Sequence, residues 1–479
     1  MKKNNFINKF LILQLPYAVT SLIPILSLPI FTKFLSTEDY GILALANVYG
    51  ILFGGLSNLG LTVAFERNFF QLTKKINQIN LMWSCLILSM LILGFFSSLT
   101  FFFHNALTNL FFNTNFKGKI LFYALLFTGL KNSIQFFYVF MINNKLITKF
   151  AFISMIETII VTTCSIIFVS KFNLGVSGYI SGQVTGVSLI LIFLSILYIL
   201  KNGFSINILL LKNALIFGLP LTPRVFFNSL STQFDKYLLG YFNSLGVTGL
   251  LNIAQKISYS SNNFLSSLQN LYGPELYNLY YKKKKGCDFK KESNKLLYPY
   301  FNFYILICLS IGLFSEELLL ILTTEGFHKA YPIIIPLVMF YVVNFFGTTK
   351  QLLIANKSYL ISKLSIITLV INIIINLPVI YYFGLYGAAW GTFFSGIISS
   401  YLNFYYSQKF LKIDFSLKFL RNLLFVLLLL LVSFILYETN INYVLRLSYK
   451  ILSVISILIL TRTYIYLKSF SNIIFKNGN

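Results

Sequence analysis

Four basic residues stand where hydrocarbon is expected. Lys131 and Lys350 each fall inside a long apolar run of the sequence, and Arg224 and Lys256 inside two more polar segments, 213–240 and 247–279, that an internal repeat identifies as spans. A charge facing lipid at the centre of a bilayer costs about 2.5–3.5 kcal/mol or more, so each of the four needs an anionic partner or water. Partners are scarce: Glu157, Asp235 and Glu275 lie in such spans, and Glu66 stands near the end of one. The balance at membrane depth is net basic, which suits an anionic substrate. Arg in particular offers a planar fork that matches phosphate oxygens. Asp235, Glu157 and Glu66 are the candidates for binding a coupling ion. The plainer reading of each cation is a stem that snorkels to the interface or a structural ion pair.

Two segments widen this polar set. In 247–279, Lys256, Ser260, Asn263, Ser267 and Asn270 recur at steps of three and four, as one face of a helix does. Ile253, Ile257, Phe264, Leu268 and Leu271 form the opposite, apolar face. A helix this polar on one side must turn that side to protein or to a water-filled space. Segment 213–240 carries Arg224, Asn228, Gln233, Asp235 and Lys236, with Pro220 and Pro223 predicting a kink near its start. Asp235 and Lys236 are neighbours, so on a helix they point in different directions.

The elements that must hold these residues follow from composition. The chain has 479 residues, 57% hydrophobic and 11% charged, with a mean hydropathy of +0.77. Water-soluble domains carry roughly a quarter charged residues, so this surface is not built for water. Apolar stretches of membrane-crossing length recur along the whole chain. They predict an all-α integral membrane protein of about fourteen transmembrane helices. The spans are placed at about 10–33, 41–65, 80–103, 119–142, 150–170, 177–200, 213–240, 247–279, 297–322, 331–355, 361–383, 386–408, 419–437 and 447–467. No loop between them is large enough for a soluble domain.

The net charge of +25 comes from 38 Lys and Arg against 13 Asp and Glu. It sits mostly in short loops, which argues against nucleic acid as a partner. With the N-terminus in the cytoplasm, that side carries 26 of the 38, including the run Lys282 to Lys285, and the opposite side 7, with 5 inside spans. The rule that basic loops stay cytoplasmic then places both termini inside. The lysine run reads as a topogenic, headgroup-contacting segment.

An internal repeat organises the spans. Gly41 in YGILALAN matches Gly249 in TGLLNIAQ at an offset of 208, and Pro16 matches Pro223 at 207. Gly175, Gly178 and Gly182 in LGVSGYISG match Gly384, Gly387 and Gly391 in FGLYGAAWG at 209. An offset spanning six helices returns the chain to the same side, so the halves are expected to be parallel and related by an axis along the membrane normal. The expected division is 1–205, 206–412 and an extra helix pair at 413–479, with the two six-helix lobes around a central cleft that opens by rocking.

Other chemistry is not visible. Cys85, Cys164, Cys287 and Cys308 have no disulfide or zinc spacing, His104 and His328 lie near span ends, and no glycine-rich phosphate loop occurs. The basic, then apolar, N-terminus imitates a signal peptide, but Pro16, Pro24 and Pro29 and the length of the run make it the first span. No cofactor, metal or catalytic group is expected.

Several segments resemble one family. Phe34 to Arg67, with LSTEDYG, LSNLGL and AFER, looks like the first hairpin of polysaccharide and O-antigen flippases. FGLPLTPRVFFNSLSTQFDKYLLGYF from Phe217, TGLLNIAQKI, LGVSGYISG and FGLYGAAWG are similar to that family as well, over residues 10–410. These flippases belong to the multidrug/oligosaccharidyl-lipid/polysaccharide exporter superfamily. The resemblance implies a multi-pass protein of a bacterial cytoplasmic membrane that moves an undecaprenyl-pyrophosphate-linked oligosaccharide outward by alternating access. It also implies coupling to an H+ or Na+ gradient in some members, and work beside other polysaccharide assembly proteins and membrane lipids. Arg224, Lys256, Lys131 and Lys350 would then form the cationic cavity, with Asn228, Gln233, Ser260, Asn263, Ser267 and Asn270 as its polar lining.

Two other readings stand beside it. A drug or metabolite antiporter of the same superfamily is expected to have twelve spans and an acidic cavity. A membrane polysaccharide polymerase is expected to have a large external loop. The topology itself is testable. Green fluorescent protein fused to either terminus is expected to fluoresce, and alkaline phosphatase to be active only when fused after outward loops such as that holding Lys329. An active phosphatase at the C-terminus would overturn the orientation.

Overall fold

The computed structural model describes residues 20, 22–72, 74–112, 119–283, 288–355, 357–439 and 441–461. Every regular element among them is a helix. The helices are α1 (Leu28–Phe34), α2 (Thr37–Ser57), α3 (Leu61–Phe69), α4 (Lys75–Phe102), α5 (His104–Phe112), α6 (Ile120–Asn143), α7 (Ile147–Ser170), α8 (Gly175–Asn202) and α9 (Ile208–Gly218). They continue as α10 (Thr222–Phe242), α11 (Leu245–Lys283), α12 (Phe289–Leu313), α13 (Ser315–Leu322), α14 (Tyr331–Asn344), α15 (Lys350–Ile354), α16 (Ser358–Phe410), α17 (Leu417–Glu438) and α18 (Tyr443–Thr461). Among the described residues ten helices are long and apolar enough to cross a membrane, or eleven counting the bent pair α9–α10. Lipid leaves backbone groups no partner but the helix itself, which is why nothing else is built.

Several predicted spans are broken. The span at 41–65 is helical to Ser57 and again from Leu61, with Leu59 at φ 47° and Gly60 at φ 67° between. Asn58 stitches the break by accepting from the Thr62 amide and donating to its hydroxyl. The span at 297–322 divides at Phe314, and that at 331–355 between Asn344 and Lys350. The kink predicted at Pro220 and Pro223 is a 43° bend between 208–221 and 225–242. Conversely, α16 is two helices joined across a kink, 53 residues in all. Gly384, at φ 54°, turns the chain between the predicted spans 361–383 and 386–408. Its repeat partner Gly175 also has φ 54°, at the start of α8. Both positions use the left-handed freedom that glycine alone has at low cost.

The chain forms two compact units. The first is 1–252 with 380–385, and the second is 253–379 with 386–479. In the first, small residues let helices approach closely, as membrane packing favours. Gly182 and Gly186 of α8 sit against the backbone of Ser165 and Val161 on α7. The carbonyls of Gly50 and Gly54 on α2 accept from Thr128 (2.7 Å) and Asn132 (2.9 Å) on α6. In the second unit, α12, α14 and α17 surround a core of Phe301, Tyr304, Val338 and Leu430.

The tightest crossing in the first unit joins the starts of α2 and α11. A Cβ on Gly41 would overlap the Leu245 carbonyl, and one on Gly249 would overlap the Thr37 carbonyl. These two contacts exchange under the offset of 208, so the crossing repeats itself about a local two-fold axis. Asn252 adds a buried bond from its amide to the Tyr40 carbonyl at 3.3 Å. Ala normally stabilises a helix relative to Gly by about 1 kcal/mol. Here the sign is expected to invert. Gly41→Ala and Gly249→Ala are expected to destabilise by about 1–3 kcal/mol through overpacking, whereas Gly94→Ala, with open space around it, is not. Thermal unfolding of purified protein checks this. Equal behaviour of the three variants would contradict the crossing.

Candidate functional site

The site grows from one face of α6. Lys131, Gln135 and Tyr138 are spaced four and three apart, so they share that face. Thr128 and Asn132, on the adjacent face, bind the α2 carbonyls and so fix the rotation of α6. Opposite, α7 presents Ser154, Glu157, Thr158, Val161, Thr162 and Ser165, and α8 adds Tyr179 and Gln183. Pro24, Ser27 and Phe31, at and before α1, complete the wall. Together these enclose a cavity of about 460 Å³ inside the first unit.

Its charges are one ammonium and one carboxyl. Glu157 is buried and accepts a hydrogen bond from the Tyr138 hydroxyl at 2.5 Å, tying α7 to α6. Lys131 is exposed to the cavity mouth, with its ammonium 5.7 Å from the centre of the Phe127 ring. No carboxylate lies within ion-pair distance of it among the described residues. The wall hydroxyls of Ser154, Thr158 and Ser165 are turned back onto helix carbonyls. The Gln183 side-chain oxygen is buried and takes no hydrogen bond from the described residues. Phe31 and Tyr179 meet edge to face at 4.7 Å and close one side. The arrangement is a polar chamber among apolar helices, able to hold an anionic group at Lys131 and a small cation or proton at Glu157.

Of the predicted residues, the structure therefore brings Lys131 and Glu157 together. Among the candidates with described side chains, the others are not part of this chamber's lining. Lys350 is half-buried at the first position of the short helix α15. Lys256, Ser260 and Asn263 are half-buried on α11, while Ile253, Ile257 and Leu268 on its apolar face are buried, as the pattern predicts. Ser267, placed on the polar face by that pattern, is buried too. Asp235 is buried on α10, and the Lys236 ammonium donates to the Gln233 side-chain oxygen at 3.3 Å. Asn228 is exposed. Glu66 is exposed on α3, beside Arg67, whose guanidinium stacks 4.1 Å from the centre of the Phe217 ring. The side chains of Arg224 and Asn270 lie outside the described residues, as does part of the lysine run at 282–285. Tyr138, Gln135 and Gln183 are functional candidates that sequence reasoning misses. The four- and three-residue spacing from Lys131 is the available signal for the first two.

A family model described as "Polysaccharide biosynthesis protein" matches residues 6–270, more than half of the chain. The chain belongs to this family. No curated protein matches it. Among solved structures, one similar fold is the lipid II flippase MurJ in an inward closed conformation. It has a TM-score of 0.69 at 18% identity, covering 95% of this chain and 99% of that one. The MATE multidrug transporter DinF-BH gives 0.59 at 16%, covering 85% and 96%. The Vibrio cholerae MATE transporter VcmN in its bent form gives 0.53 at 12%, covering 85% and 97%. The membrane-length helices and the fold shared with these proteins make this a multi-pass membrane protein of a polysaccharide-biosynthesis family.

Proposed function

We propose that this protein is a flippase that carries an undecaprenyl-pyrophosphate-linked oligosaccharide across the bacterial cytoplasmic membrane by alternating access, for surface polysaccharide such as O-antigen or capsule. The family's role in polysaccharide biosynthesis supports this reading. The observation that carries it is the extent of the fold match. The lipid II flippase fold covers 95% of the chain, whereas the two multidrug transporters cover 85%. The difference is about the size of one helix hairpin, which suits the pair predicted at 413–479 to separate this chain from twelve-span antiporters.

The chamber adds a mechanism. At about 460 Å³ it is too small for an oligosaccharide, and its buried carboxyl stands close to any anion that enters. It fits an ion-coupling site better than a sugar site, with Glu157 taking the ion and Tyr138 holding the carboxyl in place. Arg224, Lys256 and Lys350 remain the proposed contacts for pyrophosphate, and Lys131 reaches it only from the chamber mouth. An ion-coupled multidrug or metabolite antiporter is the second reading, favoured by the MATE folds among the matches.

The leaflet distribution of the lipid-linked oligosaccharide separates the two. Deletion of the gene is expected to leave that lipid facing the cytoplasm and to abolish surface polymer. A Glu157→Gln variant, inserted at normal levels, is expected to slow export at least tenfold and to lose its response to the ion gradient. Normal outward display in the deletion strain, with raised drug sensitivity, would favour the antiporter.

A further inference from the structure

The second unit contains a charged cluster that the transport reading does not use. Glu316 and Glu317 open the first turn of α13. Arg446 and Lys450 lie four residues apart on α18, so they share one face. The Lys450 ammonium is 2.8 Å from one Glu316 oxygen and 2.7 Å from Glu317, and Arg446 reaches the other Glu316 oxygen at 3.0 Å. Only 1% of the Lys450 side chain is exposed. Two positive and two negative charges balance. Sequence position counts Lys450 and Arg446 among the outward-side cations, and the structure pairs both with carboxylates.

The cluster explains an inverted helix. On α18 the buried stripe is Lys450, Ser453, Ile457 and Thr461, and the exposed residues include Leu445, Leu452, Ile455 and Ile459. A helix with a polar inner face and an apolar outer face gains from lipid outside and needs matched polar groups inside. The cluster supplies that match at one end. At the other end of the neighbouring helix, Asn422 of α17 donates to Asn302 of α12 at 3.0 Å, both side chains being wholly buried. Between them Leu430 seats against Gly312.

We propose that these ties form a two-ended clamp that makes the hairpin α17–α18 a fixed part of the second unit, with the neutrality of the four-charge cluster deciding whether the hairpin stays docked. Breaking one partner of a buried ion pair strands a charge and destabilises strongly. Replacing an opposite pair together by apolar residues of similar size is often near neutral.

The test uses full-length purified protein and the exchange of backbone amides in 417–461. Lys450→Met leaves an uncompensated carboxylate, and Glu317→Met an uncompensated cation. Each is expected to lower membrane-inserted protein severalfold and to speed exchange in the hairpin and in 315–322, with α6 to α8 unchanged. The double variant is expected to recover most of both losses. If a single variant inserts too little for exchange measurements, recovery of abundance in the double still decides. Wild-type behaviour of the singles, or a double no better than the worse single, would overturn the clamp.

Discussion

A charge cannot stand alone in hydrocarbon, and this chain meets that constraint in two different ways. In the first unit, Lys131 and Glu157 open onto one polar chamber, where a hydroxyl from Tyr138 engages the carboxyl. In the second, Lys450 and Arg446 are neutralised directly by Glu316 and Glu317 in one cluster. The first arrangement leaves an ammonium without a carboxylate among the described residues, which is costly unless a ligand or water compensates it. The second is balanced in charge and reads as architecture. The same residue types therefore differ in whether their charged partners are already present in the fold.

Close helix approach is what allows either arrangement. Thr128 and Asn132 can bond the α2 carbonyls only because Gly50 and Gly54 carry no side chain there. That contact sets the face on which Lys131 emerges. Gly182 and Gly186 similarly bring α8 against α7, placing Tyr179 and Gln183 opposite α6. Small residues thus position the polar ones, a division of labour expected where apolar burial alone gives no drive for helices to associate.

Much of this is legible in the sequence, for identifiable reasons. All-helical membrane architecture follows from long apolar runs, and Lys131 and Glu157 stand out because charge is rare within such runs. The glycine landmarks of the repeat are readable as a pattern, and Gly175 and Gly384 turn out to need the same left-handed backbone. What cannot be read is proximity. Nothing in the order of residues says that α6, α7 and α8 face a common space, so Tyr138 and Gln183 are hidden among apolar neighbours. Position near a span end says nothing of the partners of Lys450, since only three-dimensional packing reveals Glu316 and Glu317 beside it. The break at Leu59 and Gly60 has a local signal in Asn58-Leu59-Gly60, but hydropathy averaging hides a three-residue interruption.

The central claim is that Lys131 and Glu157 face a wet chamber inside the membrane rather than lipid. Its most direct test is thiol accessibility in a cysteine-free background, with Thr158→Cys as the reporter in α7. A membrane-impermeant maleimide is expected to modify that thiol in sealed vesicles of one orientation. Modification by a lipid-soluble maleimide alone, with the impermeant reagent inert from both sides, would contradict the account.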